Sequence, residues 1–259
     1  MSDGTTDPTA STSDSPPAAD RDSGTADATV SMLLHGEINE CKLVPWGSNY
    51  TFAVVLEDPE GEREPAVGIY KPRAGEAPLW DFPLGTLYQR EYASYLVSRE
   101  LGWDFIPHTV IRDGPHGIGT IQAYIEPEEE SHYFSFREQH QDELRRMAVF
   151  DLVTNNADRK AGHCFRGRDD QRIWGIDHGL TFNVHPKLRT VIWDFCGELI
   201  PDDLLLGLTR IHDDPVLADL VRPHLDPFEV EAFRARAARI VELAIFPQLS
   251  SRRNIPYGW

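Results

Sequence analysis

The sequence predicts an α+β chain of two lobes: a strand-rich half with one embedded helix, then a helix-rich half. Two observations predict it. From Val30 to Glu126, short apolar runs (VSMLLHGEI, KLVPWGSNYTFAVVLED, PAVGIYKP, PHTVIRD and GIGTIQAYIEP) alternate with turn chemistry such as Trp46-Gly47-Ser48-Asn49, Pro59-Glu60-Gly61 and Pro115-His116-Gly117. That is the pattern of an antiparallel sheet joined by hairpins. After Glu126 the pattern turns helical, over Asp142 to Thr154 and in two segments that open on Asp214-Pro215 and Asp226-Pro227, each an N-cap followed by a first-turn proline.

The boundaries follow from composition. Residues 1–29 are dominated by Ser, Thr, Asp, Ala and Pro, which bury too little surface to offset chain entropy, and they read as a disordered tail. Residues 30–126 form the first lobe and 127–259 the second, with a cleft between them. The embedded helix is expected to start at Thr86, which with Gln89 fits a capping box. Tyr88, Tyr92, Tyr95 and Leu96 carry it to a stop at Leu101-Gly102.

Bulk properties narrow the function classes. The 259 residues are 41% hydrophobic, ordinary for a buried core, and the formal charge of −17 disfavours nucleic acid or an anionic bilayer as a partner held by bulk electrostatics. No run reaches the roughly 18 apolar residues of a membrane span, and the start lacks a basic-then-apolar signal layout, so the expected location is the cytoplasm without stable membrane insertion. Cys41, Cys164 and Cys196 are widely spaced and form no CxxC pair, which leaves core packing as their role.

Four candidate residues stand in a meaningful order. Phosphoryl transfer from ATP needs a cation on the phosphates, a metal held by oxygen ligands and a carboxylate near the incoming hydroxyl. Lys71 ends a predicted strand, Glu91 lies in the following helix, and Asp158 and Asp177 fall in the helical half. In Asp158-Arg-Lys160-Ala-Gly-His163, Asp158 and Lys160 match the type and spacing of a kinase catalytic loop, while His163 stands where a metal-binding Asn is expected. Ile173-Trp-Gly-Ile-Asp177-His-Gly179 is an apolar strand ending in Asp-x-Gly, the company of a metal-binding Asp.

The strings GIYKP, REYASYLVSRELG, NNADRKAGH and IDHGLTF resemble the phosphatidylinositol 3- and 4-kinase-like superfamily, in particular its small bacterial members, over roughly residues 33 to 212. The resemblance implies a protein-kinase-like fold that binds ATP with Mg²⁺ or Mn²⁺. It implies Lys71 on the phosphates, Glu91 holding Lys71, Asp158 as base or orienter of the hydroxyl, and Asp177 on the metal. It also implies that the strand Gln122-Ala123-Tyr124-Ile125 lends backbone groups to adenine. Two departures stand out. His163 is either itself a metal ligand or is replaced in that role by another residue, Asn156 being a candidate. The first hairpin has a single glycine, so Ser48 and backbone amides near Gly47 would cover the phosphates.

The expected function is therefore an ATP-dependent phosphotransferase whose acceptor, whether small molecule, lipid headgroup or protein hydroxyl, is not specified by the sequence. The alternatives are a nucleotide-binding pseudokinase, an AMP transferase on the same fold, and, with least support, a metal-dependent phosphohydrolase using His163, Asp177 and His178. Other residues have plainer readings. His178 and His185 read as structural, Glu128-Glu129-Glu130 as a solvated loop, Trp193 as packed, and Arg159 as an ion-pair partner either beneath the site or to Asp177.

Overall fold

The computed structural model describes residues 20–45 and 47–257, with side chains from Asp27 onward. The first lobe is a five-stranded antiparallel sheet, β1 (Glu37–Val44), β2 (Thr51–Glu57), β3 (Ala66–Pro72), β4 (Thr109–Gly114) and β5 (Gly117–Ala123), in the order β1-β2-β3-β5-β4. Gly119 is required at one point of this sheet. A side chain there would come within 2.6 Å of the Pro72 Cα, so its absence lets β5 close on the end of β3 where Lys71 sits.

The start of the lobe differs from the sequence reading. Residues 1–19, most of the predicted tail, lie outside the described residues, but helix α1 runs Asp20–His35, through the end of that segment and the run read as strand. A short apolar run does not separate helix from strand by periodicity. Here Met32 and Leu33, good helix formers, bury against Val54, Leu56, Tyr70, Val110 and Ile121 from the sheet.

The embedded helix α2 (Leu87–Glu100) is present, but not with the expected cap. Thr86 makes no side-chain cap bond; its hydroxyl donates to the Pro83 carbonyl instead. The Glu76 carboxylate takes over, accepting the Leu87 N–H at 3.1 Å and the Tyr88 N–H at 2.9 Å. A carboxylate at a helix N-terminus satisfies free N–H groups and opposes the dipole together.

The second lobe holds α3 (Tyr133–Phe136), α4 (Gln141–Thr154), the hairpin β6 (Cys164–Arg166) and β7 (Ile173–Gly175), then α5 (Asp202–Asp213), α6 (Pro215–Val221) and α7 (Pro227–Leu243). Asp214 caps α6 through the Val216 N–H, and Asp226 caps α7 in a full capping box with Glu229, both as the Asp-Pro pairs predict. The largest core joins α4, α5, α6 and α7, and Ala93, Tyr95 and Val97 of α2 pack into it. A smaller cluster, Phe82 and Leu87 from the first lobe with Ala157 from the second, stitches the lobes together. A final 3-10 turn, Arg252–Asn254, folds back on the segment before α5: the Thr190 N–H donates to the Asn254 carbonyl, and Asn254 Nδ2 to the Leu188 carbonyl, each at 3.0 Å.

Candidate functional site

A cavity of about 490 Å³ lies between the lobes and is lined by residues of both, including Ser48, Lys71, Glu91, Asp158, Lys160 and Asp177. Lys71 Nζ stands 3.1 Å from Glu91 Oε2 and 3.1 Å from Asp177 Oδ1, so one ammonium joins β3, α2 and the segment after β7. Burial works to lower the Lys71 pKa, but Asp177 and then Glu91 outweigh it and hold the ammonium above its ordinary value. In return Lys71 keeps the Asp177 carboxyl well below the usual carboxylate range, against the opposing effect of burial. Asp177 sits at φ 63°, a left-handed conformation that aspartate tolerates better than most residues.

The catalytic-loop candidates face the same space. The Lys160 ammonium lies 2.8 Å from Asp158 Oδ2. The loop is fixed from behind: α4 ends on Asn155 in the left-handed conformation, and Asn156 Oδ1 accepts the Asp158 N–H at 3.0 Å while its Nδ2 donates to Asp151. Asn156 is fully buried with both amide ends engaged. Its amide is committed to the Asp158 loop, and Asn156 is not among the residues lining the cavity. Arg159 is also fully buried and pairs with Asp151, Nη2 to Oδ1 at 2.9 Å, while its Nη1 donates to the Ile176 carbonyl. The arginine thus ties the Asp158 loop to the residue before Asp177, and of its two expected partners the one beneath the site is correct.

His163 approaches Asp177 edge-on, with Nε2 3.3 Å from Oδ2. Its Nδ1 accepts the Lys160 N–H at 3.3 Å, and burial, the largest influence, lowers its pKa, so the ring is neutral near pH 7. A neutral ring accepting at Nδ1 carries its hydrogen on Nε2, which faces Asp177 as a donor. His178 turns away from the cavity. Its Nε2 accepts from Arg159 Nη2 at 2.6 Å, and its ring packs edge-to-face on Phe150 in the core. This arrangement removes His178 from the phosphohydrolase reading.

On the side of the cavity where the resemblance would seat adenine, Gln122 is buried and its Nε2 donates to Thr109 Oγ1 at 2.9 Å. The Tyr124 N–H is committed to the Val67 carbonyl and the Ala123 N–H to the His108 carbonyl, so neither amide is available to a ligand. The Ile125 N–H has no protein acceptor among the described residues, and Ile125 lines the cavity. Ser48 also lines it, just after Gly47, whose φ of +104° the turn requires.

Whether these residues suit a divalent ion can be tested on the donor set. Among the described residues no group of three or more His, Cys, Asp or Glu side chains could hold a metal unaided. Mg²⁺ in phosphate-transferring sites takes one or two carboxylates and completes its shell with phosphate and water. Asp177 at the cavity and the Glu91 Oε1, buried without a hydrogen-bond partner, match that requirement.

No protein-family model matches the chain. It is 36% identical over 263 residues to Protein Rv2133c of Mycobacterium tuberculosis, an alignment covering 87% of this chain and 93% of that protein. The chain belongs to the family of Protein Rv2133c. Solved structures place this member of the Rv2133c family among kinase folds. Hydra Fam20 with sugar superposes with a TM-score of 0.58 at 13% identity, over 88% of this chain and 90% of that one. The Golgi casein kinase with Mn/ADP bound gives 0.55 at 14%, over 89% and 78%. The Helicobacter pylori proinflammatory kinase CtkA gives 0.50 at 14%, over 83% and 94%. The Rv2133c-family chain thus has a two-lobed, protein-kinase-like fold. No helix among the described residues is long and apolar enough to cross a membrane.

Sequence reasoning missed three contributors. Glu76 escaped because it caps α2 from outside the helix, with no local spacing to mark it. Asp151 looked like one more polar residue on α4, yet it holds Arg159, Asn156 and Thr190 at once. Arg90, beside Glu91, was hidden in a helix read for its tyrosines.

Proposed function

We propose that the protein is an ATP-dependent phosphotransferase that moves the γ-phosphoryl group to a hydroxyl acceptor. The observation that carries this reading is the bridge from Lys71 to both Glu91 and Asp177, with Asp158 and Lys160 lining the same cavity. Lys71 would hold the phosphates, kept charged by its two carboxylates. Ser48 and the neighbouring turn amides would cover the phosphates from above. Asp158 would orient the acceptor hydroxyl and take its proton as the new P–O bond forms and the bond to the bridging oxygen breaks. Lys160, beside Asp158, would meet charge on the group in transit. Adenine would read backbone groups at Tyr124 and Ile125, next to Gln122, through the Ile125 N–H and carbonyl oxygens. Asp177, with Glu91, or with His163 once its Nε2 has given up the hydrogen, would hold Mg²⁺ or Mn²⁺, which would neutralise developing charge on the phosphate oxygens. One fold neighbour, the Golgi casein kinase with Mn/ADP bound, supports this cofactor pair. The finer placement beside the phosphatidylinositol 3- and 4-kinases rests on the sequence strings alone.

The test is nucleotide binding and turnover with Mg²⁺ and with Mn²⁺. ATP or ADP plus metal should raise the melting temperature of the wild type, and ATP should be turned over. Lys71→Met and Asp177→Asn should lose turnover, and Asp177→Asn should also lose the metal-dependent part of the thermal shift. Equal turnover by wild type and Asp177→Asn would overturn the site assignment.

A second reading, a nucleotide-binding pseudokinase, draws on one observation: both Asp177 oxygens are already engaged, by Lys71 and by His163. Under it, ATP stabilises the protein and no phosphate or AMP is transferred. Intact mass measurement of candidate acceptors separates the outcomes, since a phosphoryl group, an adenylyl group and no addition differ in mass.

A further inference from the structure

Helix α2 presents adjacent residues to different parts of the molecule. Glu91 turns to the cavity and Lys71, whereas Arg90 turns to the second lobe, where it is 1% exposed. Arg90 Nη2 lies 2.6 Å from Glu229 Oε1, Nη1 donates to the Thr181 carbonyl at 2.9 Å, and Nε donates to Thr86 Oγ1 at 3.3 Å. Phe82 lies under the guanidinium at 5.1 Å. One helical turn on, the Ser94 hydroxyl meets the Thr181 hydroxyl at 3.2 Å, and Thr181 donates to the His178 carbonyl. Glu229 is committed as well, its Oε2 accepting the Asp226 N–H in the capping box of α7.

We propose that Arg90 is a positioning residue that fastens α2 to the second lobe and thereby keeps Glu91, Lys71 and Asp177 in register before any ligand arrives. Three features support the assignment. The anchor is a buried charge pair, so loss of either member strands the other without a partner, and intermediate positions of α2 are disfavoured. The anchor point is Thr181, on the segment that carries Asp177, so the helix and the metal-binding candidate move as one body. The far end is α7, a helix that itself packs into the main core. The site is consequently assembled by the fold itself, with no need for a modification to draw α2 inward.

The proposal deepens the phosphotransferase reading but is tested apart from it. Single Arg90→Met or Glu229→Met proteins leave a lone buried charge and risk unfolding, so the working variant is the double Arg90→Met/Glu229→Met, in which an apolar pair fills the space. Its fold is checked by circular dichroism and a cooperative melt, and amide hydrogen exchange is then followed across the chain without nucleotide. Exchange in 87–100 is expected to rise about tenfold or more, with 141–154 unchanged. With turnover as a second readout, kcat falls while KM for ATP changes little, and Arg90→Lys recovers part of kcat because it keeps the charge on Glu229. Unchanged exchange over 87–100 in a folded double variant would overturn the proposal. Should the wild type neither bind nor turn over ATP, the phosphotransferase reading falls, while the exchange result still decides the anchoring role of Arg90.

Discussion

The residue that organises the cleft is Lys71, because it pairs with two carboxylates drawn from distant parts of the chain. Asp177 has a depressed folded pKa, so its ion pair contributes stability above the ordinary carboxylate pKa, and that contribution is lost as pH falls through the folded value. In Lys71→Met the main cause of the depression is gone. The Asp177 carboxyl should then titrate back toward the ordinary range, which side-chain carboxyl NMR detects, and the pH window of that stabilisation should close. A second prediction concerns Cys164, whose thiol burial pushes up to about 12. In folded protein at pH 8 a thiol-disulfide reagent should modify Cys41 and Cys196, both partly exposed, and reach Cys164 after denaturation. Lys71, Asp158 and Asp177 were legible in the sequence because their types and order repeat a known chemical requirement. Arg90 and Glu229 were not, since a buried pair separated by 139 positions leaves no local pattern.

Among the elements, α2 shows how far local signals reach. Its apolar spacing located the helix, yet its cap comes from Glu76, which lies outside the helix and lines the cavity. Glu76→Ala should lower stability by about 1 kcal/mol, read as a shift in urea midpoint at constant m-value, because two first-turn N–H groups lose their acceptor. Gln89→Ala, which would break the capping box expected from sequence, should leave the midpoint nearly unchanged. Helix α1 failed for a different reason. Its apolar run is compatible with strand or helix, and tertiary burial of Met32 and Leu33 decides between them. The caps of α6 and α7 were read correctly because Asp before Pro states the local geometry completely.

For the whole molecule, the lobes are joined by more than a hinge. The Asp81–Lys187 pair at 2.6 Å, the Asn183 amide on the Asp81 carbonyl, the Arg90–Glu229 pair and the Phe82–Leu87–Ala157 cluster all cross the interface. The two lobes should therefore unfold as one unit. Urea transitions followed by exchange in the β-sheet and in α4 should coincide, and separate midpoints would show that the interface couples them weakly. The cleft was foreseeable as a boundary between strand-rich and helix-rich composition, but its ties were not. They depend on side chains that meet across the fold and carry no spacing of their own.

The turn at Arg252–Asn254 carries a consequence in time as well as in space. Thr190 donates its N–H to Asn254, so a ribosome finishes the segment between Asp177 and α5 well before the acceptor for that bond has been made. Until then water must stand in for the native acceptor of this amide, whereas Asp151, the partner of the Thr190 hydroxyl, has already been made. Domains can begin to fold during synthesis, yet the clasp on this segment must close after α7 has emerged. Birth order therefore makes this clasp one of the last contacts of the protein to form.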